Sequence, residues 1–518
     1  MGAEQSSGVQ LAEVVAAVGL AADLGLGQPL EHMLRSCVVS VRLAEHLGAA
    51  PDERDATYWT SLFVSAGCTG TSWEFRQWFG DDIAFRAAVY RVGPGTIEMV
   101  RFLLQSAGSD REGLAKVRAK AGMLLGGMNE VEKDLLSHCA ISALLAEKLR
   151  LGELVSTSLL QAFARWDGKG VPRGVAGEDV PLPVRIANLA SVGEVRLREE
   201  GPDVARKALR RSSAKEHDPR IVEAWCEVAE EVLDGLDQQS TWDAVLAAAP
   251  RGRGALSNQE LDDALELLAD YADLKSPWFT GHSRAVADLA AAAARVSRLP
   301  EGEVVTLRRA ALVHDLGRNG VPNTVWDKPG PLTDSEREKV RLHAYFTDRV
   351  LHRAGRLGVL GAVASAAHER ADGSGYPRGI VSGTVPRLGL ILEAADSYQA
   401  MREDRPHRSA LPQAAATAEL RRDARSGKLD ASAVEAVLEA SGVPPRRPSP
   451  APGGLSAREV EVLLLAARGL TSKAIGHRLG ITPKTVGNHI ESIYAKIGVS
   501  SRVEAAMFAM QQGLVEQQ

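Results

Sequence analysis

Apolar residues recur at helical spacing along nearly the whole chain, and the alternating apolar–polar runs of a half-buried strand are scarce. The pattern predicts an all-α protein. Two stretches interrupt it. Residues 249–257, Ala-Pro-Arg-Gly-Arg-Gly-Ala-Leu-Ser, read as a linker. Residues 443–454 contain five prolines, which forbid a helix and favour an extended spacer. The predicted divisions are therefore 9–248, 258–442, a Pro-rich linker at 443–454, and 455–518.

The last division has a short helical logic of its own. Ser456-Ala-Arg-Glu459 is a capping box, in which the serine accepts the Glu459 N–H and the glutamate reaches back. Val460, Leu463, Leu464 and Ala467 then form an apolar face, and Gly469 ends the helix. Thr471 or Ser472 caps a second helix carrying Ile475 and Leu479, which stops at Gly480. Thr482-Pro483 opens a third, with threonine as N-cap and proline in the first turn. On it Val486, Ile490, Ile493 and Ile497 fall at 4-3-4 spacing and point inward. Lys484, Thr485, Asn488, His489, Ser492 and Lys496 are left outside, with Thr471 and Ser472 at the preceding turn. A polar, cationic second helix after a tight turn is what major-groove reading requires.

The two longer divisions repeat each other. Residues 167–174 read Asp-Gly-Lys-Gly-Val-Pro-Arg-Gly and residues 372–379 read Asp-Gly-Ser-Gly-Tyr-Pro-Arg-Gly. Asp167 to Ser191 spans 24 positions, as does Asp372 to Asp396. His138 lies on a segment like the one around His343, and Val64-Ser65-Ala66 sits where the second copy has Val313-His314-Asp315. The first copy has Phe163-Ala164 for His368-Glu369 and Ser191 for Asp396, so it has lost nearly every polar group of the second. Comparing the spacings implies an insertion of about 44 residues in the first copy.

Composition narrows the class. The 518 residues are 45% hydrophobic and 25% charged with net charge −5, as in an ordinary soluble protein able to bury sizeable cores. Residues 453–518 hold seven Lys+Arg against five Asp+Glu, a local excess of positive charge. The four cysteines, Cys37, Cys68, Cys139 and Cys226, form no C-x-x-C pair, so neither a zinc ribbon nor a disulfide frame is indicated. The N-terminal residues carry no signal-peptide pattern, and the apolar runs at 11–22 and 289–294 are too short to span a bilayer. The expected location is the cytoplasm, with no membrane partner.

The chemistry sits in the second copy. Apolar Ala310-Ala-Leu-Val313 carries His314 and Asp315 inward, and Gly317 and Gly320 read as the end of that helix. Burying unpaired polar groups costs several kcal/mol. A hydrogen-bonded His–Asp pair would meet that need, and so would a metal ion. The second reading gains from His282, His343, His368 and Asp396, because imidazoles with carboxylates suit a hard or borderline divalent cation.

Gly281-His282-Ser, His314-Asp-Leu-Gly-Arg318, Leu-Thr-Asp-Ser-Glu before His343, His368-Glu-Arg-x-Asp-Gly-Ser-Gly-Tyr-Pro, Ala-Ala-Asp396-Ser-Tyr and Arg405-Pro-x-Arg408 occur in this order. Together they resemble the HD-GYP family of HD phosphohydrolases over about residues 270–440. The resemblance implies tandem HD-type helical domains, the first degenerate. It also implies a two- or three-metal centre, iron or manganese being usual, that hydrolyses cyclic di-GMP or a related cyclic dinucleotide; this chain is expected to hold two divalent ions or one. By position, His282, His314, Asp315 and Asp396 would hold one ion. Asp315 would bridge to a second on His343 and His368. Asp315, Arg318 and Glu369 are then the catalytic candidates, and Arg318, Tyr376, Arg405 and Arg408 the substrate-binding ones. The chain departs from the family at Ala367, where a second-ion ligand is usual, at Arg318 for lysine, at Met401-Arg402 for leucine–threonine, and at His407 for tyrosine. A glutamate that supports a third ion in some members would fall near Trp278. Water or Glu369 would have to fill the gap at Ala367; otherwise the centre serves sensing.

The C-terminal division, from Leu-Ser-Ala-Arg-Glu459 through Leu-Gly-Ile-Thr-Pro-Lys484-Thr-Val to Ile-Gly-Val-Ser-Ser-Arg502, resembles the LuxR-type helix-turn-helix. That implies DNA binding, usually as a homodimer on two half-sites. Gly487 stands where a lysine is frequent, which removes a contact and costs helix propensity of about 1 kcal/mol. Two functions follow as expectations: a transcription regulator that senses or slowly hydrolyses a cyclic dinucleotide, or an active phosphodiesterase whose helix-turn-helix serves localisation or feedback.

Overall fold

The computed structural model describes residues 6–93, 95–252, 254–380, 384–444, 452–512 and 514. The chain forms two compact units, Met1–Val443 and Pro444–Gln518. Most of the spacer expected at 443–454 lies outside the described residues. Among those described, the named strands are Ser6–Gln10 and Ala255–Ser257, which pair antiparallel. The stretch expected as a linker at 249–257 thus ends in a strand. Its extended Ser257 also caps the following helix, Asn258–Asp273, in a capping box with Glu260. No described helix is long and apolar enough to cross a membrane.

In the first unit, residues 9–248 and 258–442 share one continuous core running from Val9 to Leu438. All of helix Leu11–Leu26 is buried, and it packs against the turn Leu316–Gly320 of the second half. Its Leu, Val and Ala side chains explain the placement, since each Leu or Val wholly removed from water contributes about 1.5–3 kcal/mol.

The repeat is visible in detail. His32 opens helix His32–His46 behind Glu31 at φ 83°, and His282 opens helix His282–Val296 behind Gly281 at φ 79°. Asp23 accepts the Met33 N–H and Asp273 accepts the Ser283 N–H, each at 2.9 Å. These pairs stand 250 positions apart, as do Gly67 and Gly317. The glycines show the same close approach: a Cβ on either would lie 2.1 or 2.0 Å from the carbonyl oxygen of His138 or His343. The sequence register is therefore corrected by one residue, and Val64-Ser65, not Ser65-Ala66, stands where the second half has His314-Asp315. Retention of His32 also went unread in the sequence. Beyond this point the offset falls to 205, so the insertion is 45 residues long. It lies within the segment that carries helices Ser72–Phe79, Asp82–Val89, Thr96–Ser106 and Gly113–Gly122, which has a small core of Phe75, Phe79, Phe85, Leu103, Met123 and Val131.

Among its described residues the second unit has four α-helices, Ala457–Ala467, Ser472–Leu479, Pro483–Ile497 and Arg502–Gln511. Thr471 supplies the second cap by accepting the Ala474 N–H. The buried residues of the first helix are Glu459, Val462, Leu463, Leu465 and Ala466; of the expected face, Leu463 is among them, Val460 and Ala467 pack partly buried against the same core, and Leu464 is half-buried. A glutamate in the buried set hides it from apolar periodicity. Glu459 is there because its carboxylate accepts from Ser456 N–H (2.7 Å), Ser492 Oγ (2.6 Å) and Lys496 Nζ (2.6 Å).

These partners, Lys496 first, then Ser492 and Ser456, hold the Glu459 carboxyl at about 2. A depressed carboxyl stabilises the fold above its unfolded value near 4.5, and that contribution is lost as pH falls toward 2. Glu459→Ala is expected to cost about 1–2 kcal/mol through the lost cap and hydrogen bonds. It should also flatten the pH dependence of the second unit's melting in that window, read by calorimetry of the full chain.

Candidate metal centre

Helix Glu301–Leu312 ends at Leu312, and the chain turns through His314 and Asp315 into the 3₁₀ segment Leu316–Gly320. The reading that Gly317 and Gly320 end the helix is corrected here. Gly317 is required because the backbone of helix Asp334–Arg353 lies against it, and Gly320 because the Phe346 ring does. Helix Asp334–Arg353 brings His343, the loop after helix Gly358–Ala364 brings His368, and helix Arg387–Arg402 brings Asp396. His282 is the first residue of its helix.

The six side chains meet in one buried cluster. Asp315 Oδ2 lies 2.8 Å from His314 Nε2 and 3.6 Å from His282 Nε2; Asp315 Oδ1 lies 3.4 Å from His343 Nε2 and 3.9 Å from His368 Nε2. Asp396 closes the other side, 3.0 Å from His282 Nε2 and 3.5 Å from His368 Nδ1. His314 Nδ1 donates to the Ala311 carbonyl at 2.7 Å and His343 Nδ1 to Val340, so each ring is oriented with Nε2 inward. Two overlapping sets, His282–His314–Asp315 and Asp315–His343–His368, are close enough to share an ion.

A divalent cation fits these residues. Asp315 is wholly buried, yet neither carboxylate oxygen makes a hydrogen bond, and His314 Nε2 makes none either. Buried polar atoms are otherwise paired, and a cation placed among them would satisfy all three. Electrostatics point the same way. Burial opposes ionisation of Asp315 and Asp396, but Arg318 and His314 around the first, and His282 and His314 around the second, hold both carboxyls well below the usual range. Burial would likewise lower His314, but Asp315 and Asp396 push it up to about 10. Two ionised carboxylates in a dry site demand positive charge, from protons or from a metal.

Around the cluster, Arg318 is 5% exposed, with Nη2 2.5 Å from Asp315 Oδ2 and its guanidinium carbon 4.1 Å from the Phe279 ring centroid. Tyr376 stacks on His368 at 5.1 Å and 12°. Glu369 has a different part from the one expected. Its carboxylate accepts the N–H groups of Arg378 (2.8 Å) and Ile380 (3.1 Å), so it anchors the Gly-Tyr-Pro loop and does not fill the gap left by Ala367. Arg408 is also reassigned, because it donates to the carbonyls of Ala400, Met401 and Glu403 and caps a helix end. Arg405 binds the Trp278 carbonyl and Glu403, with Nη2 3.4 Å from His282 Nδ1. Sequence reading missed Glu403, which accepts from His282 Nδ1 at 2.8 Å and orients that ring. The available signal was its position seven residues, two helical turns, after Asp396.

In the first half the protein fills the equivalent place itself. His32 bonds Glu194 at 2.6 Å and Ser191 at 3.2 Å, and the Tyr90 hydroxyl lies 3.4 Å from His32 Nε2 and 3.3 Å from Ser191 Oγ. His138 Nε2 is bonded to the Val64 carbonyl. Among the described residues, both sets able to share an ion lie in the second half.

On the C-terminal unit, Lys484 and Asn488 are exposed on the third helix, with Thr485 and His489 half-buried beside them. Thr471 is exposed and Ser472 half-buried at the preceding turn. Ser492 and Lys496 depart from the expectation of DNA contact, because both are engaged by Glu459.

Buried HD-type ligands on an all-helical scaffold define the class as an HD-domain protein. Residues 266–433 match the family described as HD domain, and residues 454–509 match the luxR family of bacterial regulatory proteins. A 3'3'-cGAMP-specific phosphodiesterase of Vibrio cholerae is 30% identical over 410 residues, covering 78% of this chain and 88% of that protein. A cyclic di-GMP phosphodiesterase of Thermotoga maritima is 36% identical over 183 residues, 35% of this chain and 48% of the relative. The crystal structure of a cyclic GMP-AMP specific phosphodiesterase from V. cholerae aligns with TM-score 0.59 and 26% identity over 84% of this chain and 99% of that one. The chain belongs to the HD-GYP family, extended by a C-terminal luxR-type helix-turn-helix.

Proposed function

We propose that this protein is a DNA-binding transcription regulator whose HD-GYP half binds a cyclic dinucleotide, cyclic di-GMP or 3',3'-cGAMP, and hydrolyses it slowly with divalent metal. The observation that carries the reading is the buried Asp315 carboxylate, without hydrogen bonds and ringed by four imidazoles. His282, His314, Asp315 and Asp396 would hold one ion, and Asp315, His343 and His368 a second. The mixed imidazole–carboxylate set suits iron or manganese. When bound, such ions polarise a phosphoryl oxygen and make water acidic enough to attack at neutral pH.

The chain's own residues do the rest. Arg318 Nε and Nη1 are buried and make no hydrogen bond, Nη1 lying 3.7 Å from Asp273 Oδ1, so both retain N–H groups to donate to a phosphate. Tyr376 and His368 present a stacked pair at the rim. Glu403 fixes His282, and Arg405 neutralises Glu403. Ala367 is wholly buried and supplies no ligand, which favours slow turnover and a sensing role. The test is metal content together with turnover of both dinucleotides, beside a gel shift with and without them. A metal-loaded protein that neither binds nor cleaves either dinucleotide would sink the reading.

The helix-turn-helix would act in the cytoplasm on DNA, as a homodimer on paired half-sites. Asn488→Ala is expected to weaken binding to an operator selected in vitro by about 1–3 kcal/mol and to relax the preference at one base pair. Lys484→Ala should weaken all sequences alike and reduce the salt slope by about one. Ser492→Ala should leave DNA affinity nearly unchanged. Anisotropy titrations at two salt concentrations separate the three.

A further inference from the structure

Helix Asp82–Val89 belongs to the 45-residue insertion of the degenerate half, yet Asp82 is wholly buried against the second half. Its Oδ2 accepts from Lys275 Nζ at 2.7 Å and from Arg86 Nη1 at 2.9 Å, and its Oδ1 accepts the backbone N–H of Asn323 at 2.8 Å. Lys275 is also wholly buried. The Asn323 amide donates to the Lys275 carbonyl (2.7 Å) and to Asp327 Oδ2 (2.9 Å), while Asp327 Oδ1 accepts from the Ser276 hydroxyl (2.6 Å).

These bonds clamp together two short segments, 275–279 and 323–327. Each presents one ring to the metal centre: Phe279 and Trp326 meet edge-on at 5.2 Å, and Trp326 also lies edge-on to His343 at 5.5 Å. The Arg318 guanidinium carbon lies 4.1 Å from the first ring centroid and 5.9 Å from the second, and Trp326 Nε1 donates to the Arg318 carbonyl at 3.1 Å. Arg318 is thus aimed by aromatic faces and by its ion pairs with Asp315 and with Asp273 (Nη1 to Oδ1, 3.7 Å), which leave Nε and Nη1 without a hydrogen bond. Apolar residues could join the segments too, but a carboxylate that accepts one particular backbone N–H also fixes their register.

We propose that Asp82 is a positioning residue supplied by the degenerate half: through Lys275 and Asn323 it sets Phe279 and Trp326, and so holds Arg318 free for a phosphate of the bound nucleotide. The assignment of that ligand rests on the function proposed above. It also gives the first half a role. Among its described residues that half has no ion set of its own, and it instead completes the substrate wall of the second.

Asp82→Asn alone strands the Lys275 ammonium and the Arg86 guanidinium in the interior, endangers folding, and still offers an oxygen to the Asn323 N–H. The informative variant is Asp82→Leu/Arg86→Met/Lys275→Met, which removes all three charges together and leaves the Asn323 N–H no acceptor. It is compared with wild type as the full chain loaded with Mn²⁺. Melting temperature and Mn²⁺ stoichiometry should be retained, while calorimetric affinity for cyclic di-GMP and 3',3'-cGAMP falls about tenfold, the weight of one charge-assisted contact. The crystal structure of the variant should show the guanidinium displaced from Phe279. Arg318 still seated on that ring, or unchanged affinity in a folded variant, would overturn the proposal. If wild type binds neither dinucleotide, the proposed function falls instead, and the position of Arg318 in the variant crystal decides this inference by itself.

Discussion

If the centre works as proposed, Asp315→Ala is expected to strip it of metal and to lower cyclic-dinucleotide turnover by about 10²–10³-fold, the loss that removal of one major electrostatic contribution to a reaction produces. Asp315 lies within 4.0 Å of His282, His314, His343 and His368, and it is common to both sets of ligands. Its loss removes the carboxylate common to both sets, leaving Asp396 alone beside His282 and His314, and takes from Arg318 its counter-charge at 2.5 Å, with Asp273 remaining at 3.7 Å. Elemental analysis should find less than one ion per chain, beside turnover followed by chromatography. Melting temperature is read beside these, because the change leaves the buried Arg318 guanidinium with only Asp273, 3.7 Å away, as counter-charge. Retained metal and turnover in the variant would remove the basis of the proposed chemistry. Arg408→Ala is the contrast, since that guanidinium caps helix carbonyls and its loss should leave nucleotide affinity unchanged.

The helical periodicity of the chain was enough to read the all-α scaffold, because each buried stripe is written locally every three or four residues. His282, His314, Asp315, His343, His368 and Asp396 were legible for a related reason. Histidines and carboxylates at the inner ends of apolar helices are costly unless they converge, and the structure brings all six together. What could not be read depends on the partner across a contact. Glu369 carries a ligand's chemistry but is turned to two loop amides. Ser492 and Lys496 lie on the polar side of their helix, yet Glu459 on another helix engages both. Asp82 belongs to an insertion with no counterpart in the second half, so no repeat comparison could connect it with Lys275. The one-residue slip in the repeat arose the same way: Gly67 and Gly317 align because of what presses on them, which side-chain pattern does not record.

Gly317→Ala is the second large effect, and it acts through backbone. The added Cβ would stand 2.0 Å from the His343 carbonyl oxygen, 2.5 Å from the Thr347 nitrogen and 2.8 Å from Phe346 Cβ. The first two are backbone atoms of helix Asp334–Arg353, so no rotamer change relieves them, and the turn Leu316–Gly320 must move away from that helix. Two bonds cross this contact, Gly317 N–H to Thr347 Oγ1 (3.0 Å) and Thr347 Oγ1 to the His314 carbonyl (2.9 Å). Both lengthen as the elements part. Overpacking of this kind typically costs about 1–3 kcal/mol, and rigid backbone on the far side places this site at or above the upper end. The same displacement draws Asp315 away from His343 and so weakens the second ion set before the first. The expected result is a melting temperature lowered by several degrees, with Mn²⁺ stoichiometry falling toward one ion per chain even in the folded fraction. Gly302→Ala, where a Cβ meets nothing within 4 Å, should change neither quantity. A Gly317→Ala protein with wild-type melting and wild-type metal content would show that the turn and the helix are not in the contact described.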